Sequence, residues 1–284
     1  MSNQRASSPL HHQTLAPDSA SSALYDRSTT QDYGFTALPA DASKTPPVTT
    51  SPPTVSVDEL KIPTSPLARR INAYAEAKLP RQTYHHSLRV YAYGLAAARG
   101  CFPDWKVEAG SSLEETWFLT AMLHDIGTPE EVLMSTRLSY EFYAGVHALD
   151  ILRDAKLTLH HTAGVGSGGD ASEAVAGQEQ AESVAEAIIR HQDVQDKGKV
   201  TLVTRLVHIG TLLDNIGAGK ELVSEGTVKS VVGKWPREGW TGCFRGTVEL
   251  EKKHKPYAMV SRIEGFEETI SKNTAKGGPF EWLE

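Results

Sequence analysis

A histidine and an aspartate stand side by side in the stretch LTAMLHDIGTPEE, which covers residues 119–131. The residues before His124 and Asp125 are mostly apolar and are typical of a buried helix. Two polar groups that leave an apolar helix together cost free energy unless a partner satisfies them. A metal ion is one candidate partner, because imidazole and carboxylate groups both bind metals.

Other polar residues occur at helix positions that are otherwise apolar. They are His86, His191 at the end of AEAIIRH, and Asp214 in TLLDNIG. Helical spacing puts His191 on the same face as Val184 and Ile188. Imidazoles combined with carboxylates suit zinc, iron or manganese better than calcium. These residues are therefore candidates for a metal site shared with the His-Asp pair.

Each candidate also has a purely structural interpretation. A lone histidine such as His86 is more often a hydrogen-bonded core or surface residue than a metal ligand. Asp214 is compatible with a turn cap, and His191 with a helix C-terminus, where an imidazolium is favoured. The combination is more specific than its members: a His-Asp pair ends an apolar helix, a histidine precedes it, and an aspartate follows about 90 residues later.

Composition limits the class of protein. The chain has 284 residues, 39% of them hydrophobic, which is enough for one substantial core. The net charge is -6 with no sustained basic run, which argues against a nucleic-acid partner. Two cysteines are too few for a disulfide framework, and no segment is long and apolar enough for a membrane span. With no signal or transit peptide pattern at the start, we expect a soluble cytoplasmic protein.

The chain divides by composition into an extension and a domain. Residues 1–57 are rich in Ser, Thr, Pro and Ala and include KTPPVTTSPPT, which has no helical or strand periodicity. We expect this extension to be mostly disordered. Residues 58–284 are predicted to form the catalytic domain, with a helical core at about 65–220 and a C-terminal segment at 221–284 that covers it.

Apolar spacing and capping signals predict the helices of the core. Ser65-Pro66 is typical of a helix start, and Ser112 with Glu115 has the spacing of a capping box before the helix that carries the His-Asp pair. Later helices are predicted in SYEFYAGVHALDILRD, QAESVAEAIIRH and VTLVTRLVHIGTLLDNIG. No convincing strand pattern occurs before residue 220, so the predicted fold class is all-α. The glycine-rich GVGSGGDASEAVAG is predicted to be a surface loop.

Six motifs resemble those of the fungal cyanamide hydratases, members of the HD-domain superfamily of metal-dependent hydrolases and lyases. In chain order they are YHHSLRVYAYG, LTAMLHDIGT, STRLSYEFYAGVHALDIL, VAEAIIRHQDV, TLLDNIGA and WPREGWTGCF. The similarity runs from about residue 33 to the C-terminal PFEWLE and departs from the family at the N-terminal extension and at residues 162–178. It implies an HD-domain helical bundle.

The resemblance also implies roles for individual residues. The metal ligands it implies are His86, His124, Asp125 and Asp214. His191 is implied as a proton donor or an additional ligand, and Asp125 as a catalytic residue as well as a ligand. Thr211, one turn before Asp214, is a candidate to present its hydroxyl to the substrate or to metal-bound water. The implied reaction is zinc-dependent hydration of cyanamide to urea, with iron or manganese as alternative metals, in a homo-oligomer. A bound zinc ion lowers the pKa of water towards neutrality, which supplies hydroxide for attack on the nitrile carbon.

Alternatives remain open at this stage. A nucleotide phosphohydrolase would need basic residues at the metal, and the candidates near the motifs are Arg81, Arg89, Arg137 and Arg190. A hydratase for a related nitrile or isonitrile, and a non-catalytic protein that keeps the fold, are further alternatives.

Several residues keep two interpretations. Glu141 lies either beside the metal site or in a first helical turn behind an N-cap at Ser139. The group Trp240, Cys243 and Phe244 either lines the pocket or packs in the core.

Overall fold

The computed structural model describes residues 27–158 and 174–283, which contain eleven α-helices. They are α1 (Arg27–Asp32), α2 (Pro66–Lys78), α3 (Arg81–Cys101), α4 (Ser112–Leu123), α5 (Glu130–Ser135), α6 (Tyr140–Arg153), α7 (Gln178–Ile189), α8 (Leu202–Ile216), α9 (Glu225–Lys234), α10 (Trp240–His254) and α11 (Phe266–Thr274). The predicted all-α class is confirmed. No helix in these ranges is both long and apolar enough to cross a membrane.

The core forms where α3 packs against α8 and α4, while α6 packs against α7. Two glycines let the central helices approach closely. A Cβ at Gly210 of α8 would lie 2.6 Å from the carbonyl oxygen of Val90 in α3, and one at Gly94 would lie 2.4 Å from the ring of Trp117. Trp117 is 0% exposed and donates from its indole to the carbonyl of Tyr91. Close packing of α3, α4 and α8 brings their polar residues to one place.

The helix starts follow the capping signals with one correction. Ser65 caps α2 by accepting from the backbone N–H of Ala68, as predicted. The N-cap of α4 is Ser111 rather than Ser112, and its hydroxyl accepts from the N–H of Glu114. The register is one residue earlier because the Glu114 carboxylate accepts from the N–H of Gly110, which closes the turn before the helix.

The segment before residue 58 departs from the expected disorder in its described part. Residues 1–26 lie outside the described residues, but Ala37–Pro39 form a short strand, β1, that pairs antiparallel with β2 (Lys199–Thr201). The backbone N–H groups of Val55 and Val57 also donate to hydroxyls of α9. Hydrogen bonds to the domain hold this segment despite its lack of periodicity. The predicted loop at 164–177 falls mostly outside the described residues.

The C-terminal part adds a second, smaller apolar cluster. α10 packs against α11, and the cluster includes Trp240, Phe244, Val248 and Phe266. α10 also packs against α3, so this segment lies over one end of the helix that carries His86. The domain boundary at residue 58 stays a prediction.

Candidate metal centre

Three helices bring four of the sequence-predicted residues together in the interior. His86 lies in α3, His124 and Asp125 directly follow α4, and His191 follows the end of α7. All four are at most 1% exposed. Because α4 packs against both α3 and α7, the ends of these helices place the polar groups in one enclosed space.

The Nε2 atoms of the histidines converge on the carboxylate of Asp125. The Nε2 atoms of His86 and His124 are 3.3 Å apart. They lie 3.7 Å and 3.4 Å from Oδ2 of Asp125, respectively. Nε2 of His191 lies 3.8 Å from Oδ1 of the same carboxylate. Donor atoms at about 2.1 Å from a central ion in a tetrahedron would be about 3.4 Å apart, so the separations among His86, His124 and Oδ2 of Asp125 fit a zinc-sized ion. His191 faces the other carboxylate oxygen and lies outside this group of three.

The hydrogen bonds at Nδ1 set the tautomers of the rings. Nδ1 of His124 donates to the carbonyl of Ala121 at 2.8 Å, and Nδ1 of His191 donates to that of Ile188 at 2.7 Å. Nδ1 of His86 donates to the Asp214 carboxylate at 2.6 Å. A proton on Nδ1 leaves the lone pair of a neutral imidazole on Nε2, the atom that faces Asp125.

Burial keeps two of these imidazoles neutral. It lowers the pKa of His86 to about 4 and that of His191 to about 3, despite the opposing effect of Asp125 on both. Lone pairs therefore point towards a carboxylate whose Oδ2 atom is buried with no hydrogen-bond partner. Such an arrangement is unfavourable by itself and becomes favourable with a cation at its centre. The group His86, His124 and Asp125 can hold a metal ion.

Asp214, the fourth expected ligand, lies on the other side of the His86 ring. Its Oδ2 accepts from His86 and from Arg89, and its Oδ1 accepts from Arg89 and Arg237. Burial alone would raise the pKa of Asp214, but the two guanidinium groups outweigh it and hold the pKa well below its usual range. A carboxylate in this position orients a ligand histidine. The expectation of direct ligation by Asp214 stays a prediction.

Tyr140 is a residue of the site that the sequence analysis did not single out. Its hydroxyl lies 3.3 Å from Nε2 of His191 and accepts from the side chain of Gln192 at 3.0 Å. Tyr140 is 0% exposed, and burial raises its pKa well above 10, so its phenol stays protonated. The signal that could have found it is its place in STRLSYEFYAGVHALDIL, at the first position of α6.

Glu141 is a buried acid without a hydrogen bond. Both carboxylate oxygens are sealed from solvent and have no partner. Burial and then the nearby Glu251 raise its pKa well above 4.5. Ser139 does occupy the N-cap position of α6 with Glu141 in the first turn, as predicted, but its hydroxyl accepts from the N–H of Met259 instead of capping the helix.

Thr211 is the remaining predicted residue of the site, and His147 is a further histidine of the helical core. Thr211 is 3% exposed, and its hydroxyl donates to the carbonyl of Val207 within α8 at 2.7 Å. Its role near the substrate stays a prediction. His147 binds the Tyr74 hydroxyl at 2.8 Å and stacks on Tyr143, which accounts for its imidazole without a metal.

The face of α10 towards the centre carries the residues that the sequence left open. The Trp240 ring stacks on His86 with a centroid distance of 4.1 Å, and Phe244 stacks on Trp240 at 5.3 Å. Cys243 lines a cavity of about 250 Å³ together with Thr83 and Thr128. We call this cavity the α10 pocket.

The candidate ligands are not among the residues that line the α10 pocket, but two of its lining residues are near them in the chain. Thr83 precedes His86 by one helical turn, and Thr128 is bound to the carbonyl of Asp125 through both its N–H and its hydroxyl. Burial raises the pKa of the Cys243 thiol, and the Asp125 carboxylate adds to the rise. The pocket has the size for a small molecule.

The arginines near the centre do not provide a phosphate site. Arg89 is fully buried and bound to Asp214, as is Arg237. Arg81 pairs with Glu238, and Arg190 with Glu186 and Asp193. Each of these four arginines has a carboxylate partner, so none of them provides the free cation expected for a phosphohydrolase. Arg137, the remaining candidate, is exposed, and its carbonyl accepts from the Tyr257 hydroxyl.

Fold and site define an all-α protein with a buried histidine and aspartate centre that can hold a metal ion. Comparison with known proteins narrows this class. Two Saccharomyces cerevisiae proteins, cyanamide hydratases DDI2 and DDI3, are each 32% identical to this chain over 243 residues, which is 85% of this chain and 97% of each yeast protein. No family model matches the chain. The chain belongs to the cyanamide hydratase family of enzymes, which confirms the family resemblance of its motifs.

Proposed function

We propose that this enzyme hydrates cyanamide to urea at the buried metal centre. The observation that carries the proposal is the convergence of three imidazole Nε2 atoms on Asp125, next to a pocket of about 250 Å³. The similarity to two yeast cyanamide hydratases over most of the chain supports the choice of substrate. A small pocket suits a substrate that offers few atoms for binding.

In this proposal the metal ligands are His86, His124, Asp125 and His191, and Asp214 orients His86 through Nδ1. Three imidazoles and one carboxylate favour zinc, although iron and manganese accept the same donors. When bound, the ion supplies Lewis acidity and lowers the pKa of water, which makes hydroxide available at neutral pH. The neutral form that burial gives to His86 and His191 is the form that binds a metal.

The protein groups position the substrate and move protons. The oxygen of one water forms the new bond to the nitrile carbon, while the nitrile nitrogen gains a proton. The proton comes from the same water: Tyr140, whose phenol is protonated beside His191, donates its proton to the nitrogen and takes one from the water in return. Tautomerisation of the resulting isourea gives urea. Stacking of Trp240 on His86 excludes bulk water from that side of the ring.

The test is urea formation from cyanamide by purified protein of measured metal content. Metal-dependent urea production that His124→Ala abolishes is the expected result, and His147→Gln is the matched control because His147 lies outside the centre. Full activity in metal-free protein would contradict the proposed role of the metal. No urea from fully metallated protein would contradict the choice of substrate.

The role of Tyr140 has its own test. Tyr140→Phe removes only the hydroxyl, so we expect kcat to fall by about 10²-fold or more while the metal content stays at the parent level. Tyr143→Phe, one turn further along α6, is the matched control and should leave kcat unchanged. An unchanged kcat in Tyr140→Phe would show that the phenol takes no part in the proton transfer.

A further inference from the structure

A second cavity lies on the opposite side of α8 from the metal centre. It has a volume of about 450 Å³ and is bounded by α8, by residues 42–50 of the N-terminal segment and by the end of α3. We call it the α8 cavity. Its apolar walls include Phe102, Trp105, Ile209 and Leu212. The rings of Phe102 and Trp105 stack in parallel at a centroid distance of 4.1 Å. The volume of the cavity and its apolar lining are typical of small-molecule binding sites.

A buried arginine lines this cavity without a carboxylate partner. Arg205 is 7% exposed, and its Nη2 donates to the carbonyls of Pro39 and Ala40 at 2.6 Å and 2.8 Å. Its Nε is buried and has no hydrogen-bond partner. Its Nη1 makes no hydrogen bond to the described residues, and no ion pair within 4.0 Å involves Arg205 in that part of the chain. Because Nε is sealed from solvent, Nη1 is the nitrogen that the guanidinium keeps available for a ligand in the cavity.

Another buried arginine shows what a purely structural guanidinium looks like in this fold. Arg70 also lacks a carboxylate partner, but it lies 5% exposed and donates from Nε, Nη1 and Nη2 to three carbonyls and a hydroxyl. All three of its nitrogens are used, and it does not line either of the two cavities described. Arg205 differs in both respects.

The other polar groups of the α8 cavity do not neutralise Arg205. His208 is 4% exposed, binds the carbonyl of Arg190 through Nε2, and has a pKa lowered by burial to about 4, so it is uncharged. Glu221 lies exposed at the rim. The Asp41 carboxylate is near enough to favour the charged guanidinium, but it accepts hydrogen bonds from Ser43 instead.

We propose that the α8 cavity is a second small-molecule site that binds a small carboxylate with a flat apolar body. The planar guanidinium of Arg205 matches a carboxylate in charge and geometry, and the stacked rings and aliphatic side chains match the apolar body. The proposal does not depend on the reaction at the metal centre. Residues 42–50 form one wall, so the site exists only because the N-terminal segment packs on the domain.

Isothermal titration of the full chain with benzoate tests this proposal, with benzamide as the uncharged analogue at constant ionic strength. We expect one saturable benzoate site and binding of benzamide weaker by about tenfold or more. Arg205→Gln should weaken benzoate binding by about tenfold or more, and Leu212→Trp should abolish it by filling the cavity. Leu212→Trp leaves the Arg205 hydrogen bonds untouched and decides the question if Arg205→Gln does not fold.

A control separates this site from the metal centre. His124→Ala should bind benzoate as the parent does, because it alters only the centre on the other side of α8. Absence of saturable benzoate binding would overturn the proposal. It would also be overturned if benzoate binding survived in Leu212→Trp but disappeared in His124→Ala, because the anion would then occupy the metal centre.

Discussion

Buried arginines lie on both faces of α8, but those on one face pair with a carboxylate and the one on the other face does not. On the face towards the metal centre, Asp214 accepts from Arg89 and Arg237, so each of the two guanidinium groups has a direct carboxylate partner in one network. On the opposite face, Arg205 lines a cavity, and its partners among the described residues are carbonyl oxygens. Helical spacing explains the separation, because Asp214 and Arg205 are nine residues apart, which is two and a half turns.

The difference shows that burial of a charge does not by itself identify a ligand site. A matched guanidinium such as Arg89 stabilises the position of a carboxylate, which in turn holds the His86 ring. An unmatched guanidinium such as Arg205 is a place where an anion would gain free energy on binding. Whether the charge is already matched separates the two faces more clearly than the residue type does.

The largest effect is expected on the matched face. Asp214→Asn leaves Arg89 and Arg237 buried without their anion, so we expect the free energy of unfolding to fall by about 3–5 kcal/mol. Because His86 also loses its orienting partner, metal affinity should fall by about 10–100-fold without being lost. Denaturant titration and metal competition with a chelator measure the two effects.

The comparison variant for Asp214→Asn is His124→Ala, which removes a proposed ligand. If Asp214→Asn loses its metal as completely as His124→Ala does, Asp214 is a ligand and the proposed ligand set is wrong. If it retains metal at reduced affinity, the orienting role holds. The outcome therefore distinguishes the two interpretations of the same carboxylate.

The sequence predicted the residues of the metal centre, on the matched face of α8, much better than it predicted the α8 cavity on the unmatched face. His86, His124, Asp125 and His191 stand out because polar residues in apolar helices are rare and need a partner. Their convergence depends only on helix packing, which apolar periodicity anticipates. Tyr140 was missed because a tyrosine at the start of an apolar helix resembles an ordinary core residue, and only the distance to His191 shows its role.

The α8 cavity could not be predicted because the sequence that forms one of its walls has no helical or strand periodicity. Residues 42–50 belong to a Pro- and Thr-rich stretch whose composition resembles that of a disordered extension. The segment is held by single tertiary contacts, such as the Arg205 bonds to Pro39 and Ala40 and the antiparallel pairing of β1 with β2. Such contacts join positions far apart in the chain and leave no local pattern.

A smaller effect, visible only as a pH dependence, is expected at His208 on the unmatched face. Burial lowers the pKa of His208 from 6.5 to about 4 in the folded protein. The unfolded chain therefore binds this proton first as the pH falls, and the corresponding stability, present above about pH 6.5, is lost progressively down to about pH 4. Between pH 7 and pH 5 the loss from this residue is about 2 kcal/mol.

His208→Gln tests this dependence, because Gln keeps an N–H for the Arg190 carbonyl and does not titrate. The stability of the variant should fall less than that of the parent between pH 7 and pH 5, as measured by denaturant titration at both values. His85→Gln is the control, since His85 lies at the surface end of α3. Parallel pH profiles for the parent and His208→Gln would mean that folding does not change the pKa of His208, and His208 would then gain a charge beside Arg205 as the pH falls below about 6.5.

The smallest effect should come from Arg205 itself, measured without any ligand. Arg205→Gln removes hydrogen bonds to Pro39 and Ala40 but also removes an unmatched buried charge, so we expect a loss of only about 1 kcal/mol in the free energy of unfolding. Arg70→Gln, which deprives four acceptors of their donor, should cost more, about 3 kcal/mol. Denaturant titration of both variants compares the two arginines directly. Equal losses would mean that the protein satisfies the hydrogen-bonding groups of Arg205 as well as those of Arg70. That result would contradict the argument that Arg205 carries a charge available to an anion. A smaller loss at Arg205 would mean that the fold keeps this cation although it gains little stability from it, as a ligand-binding group would require.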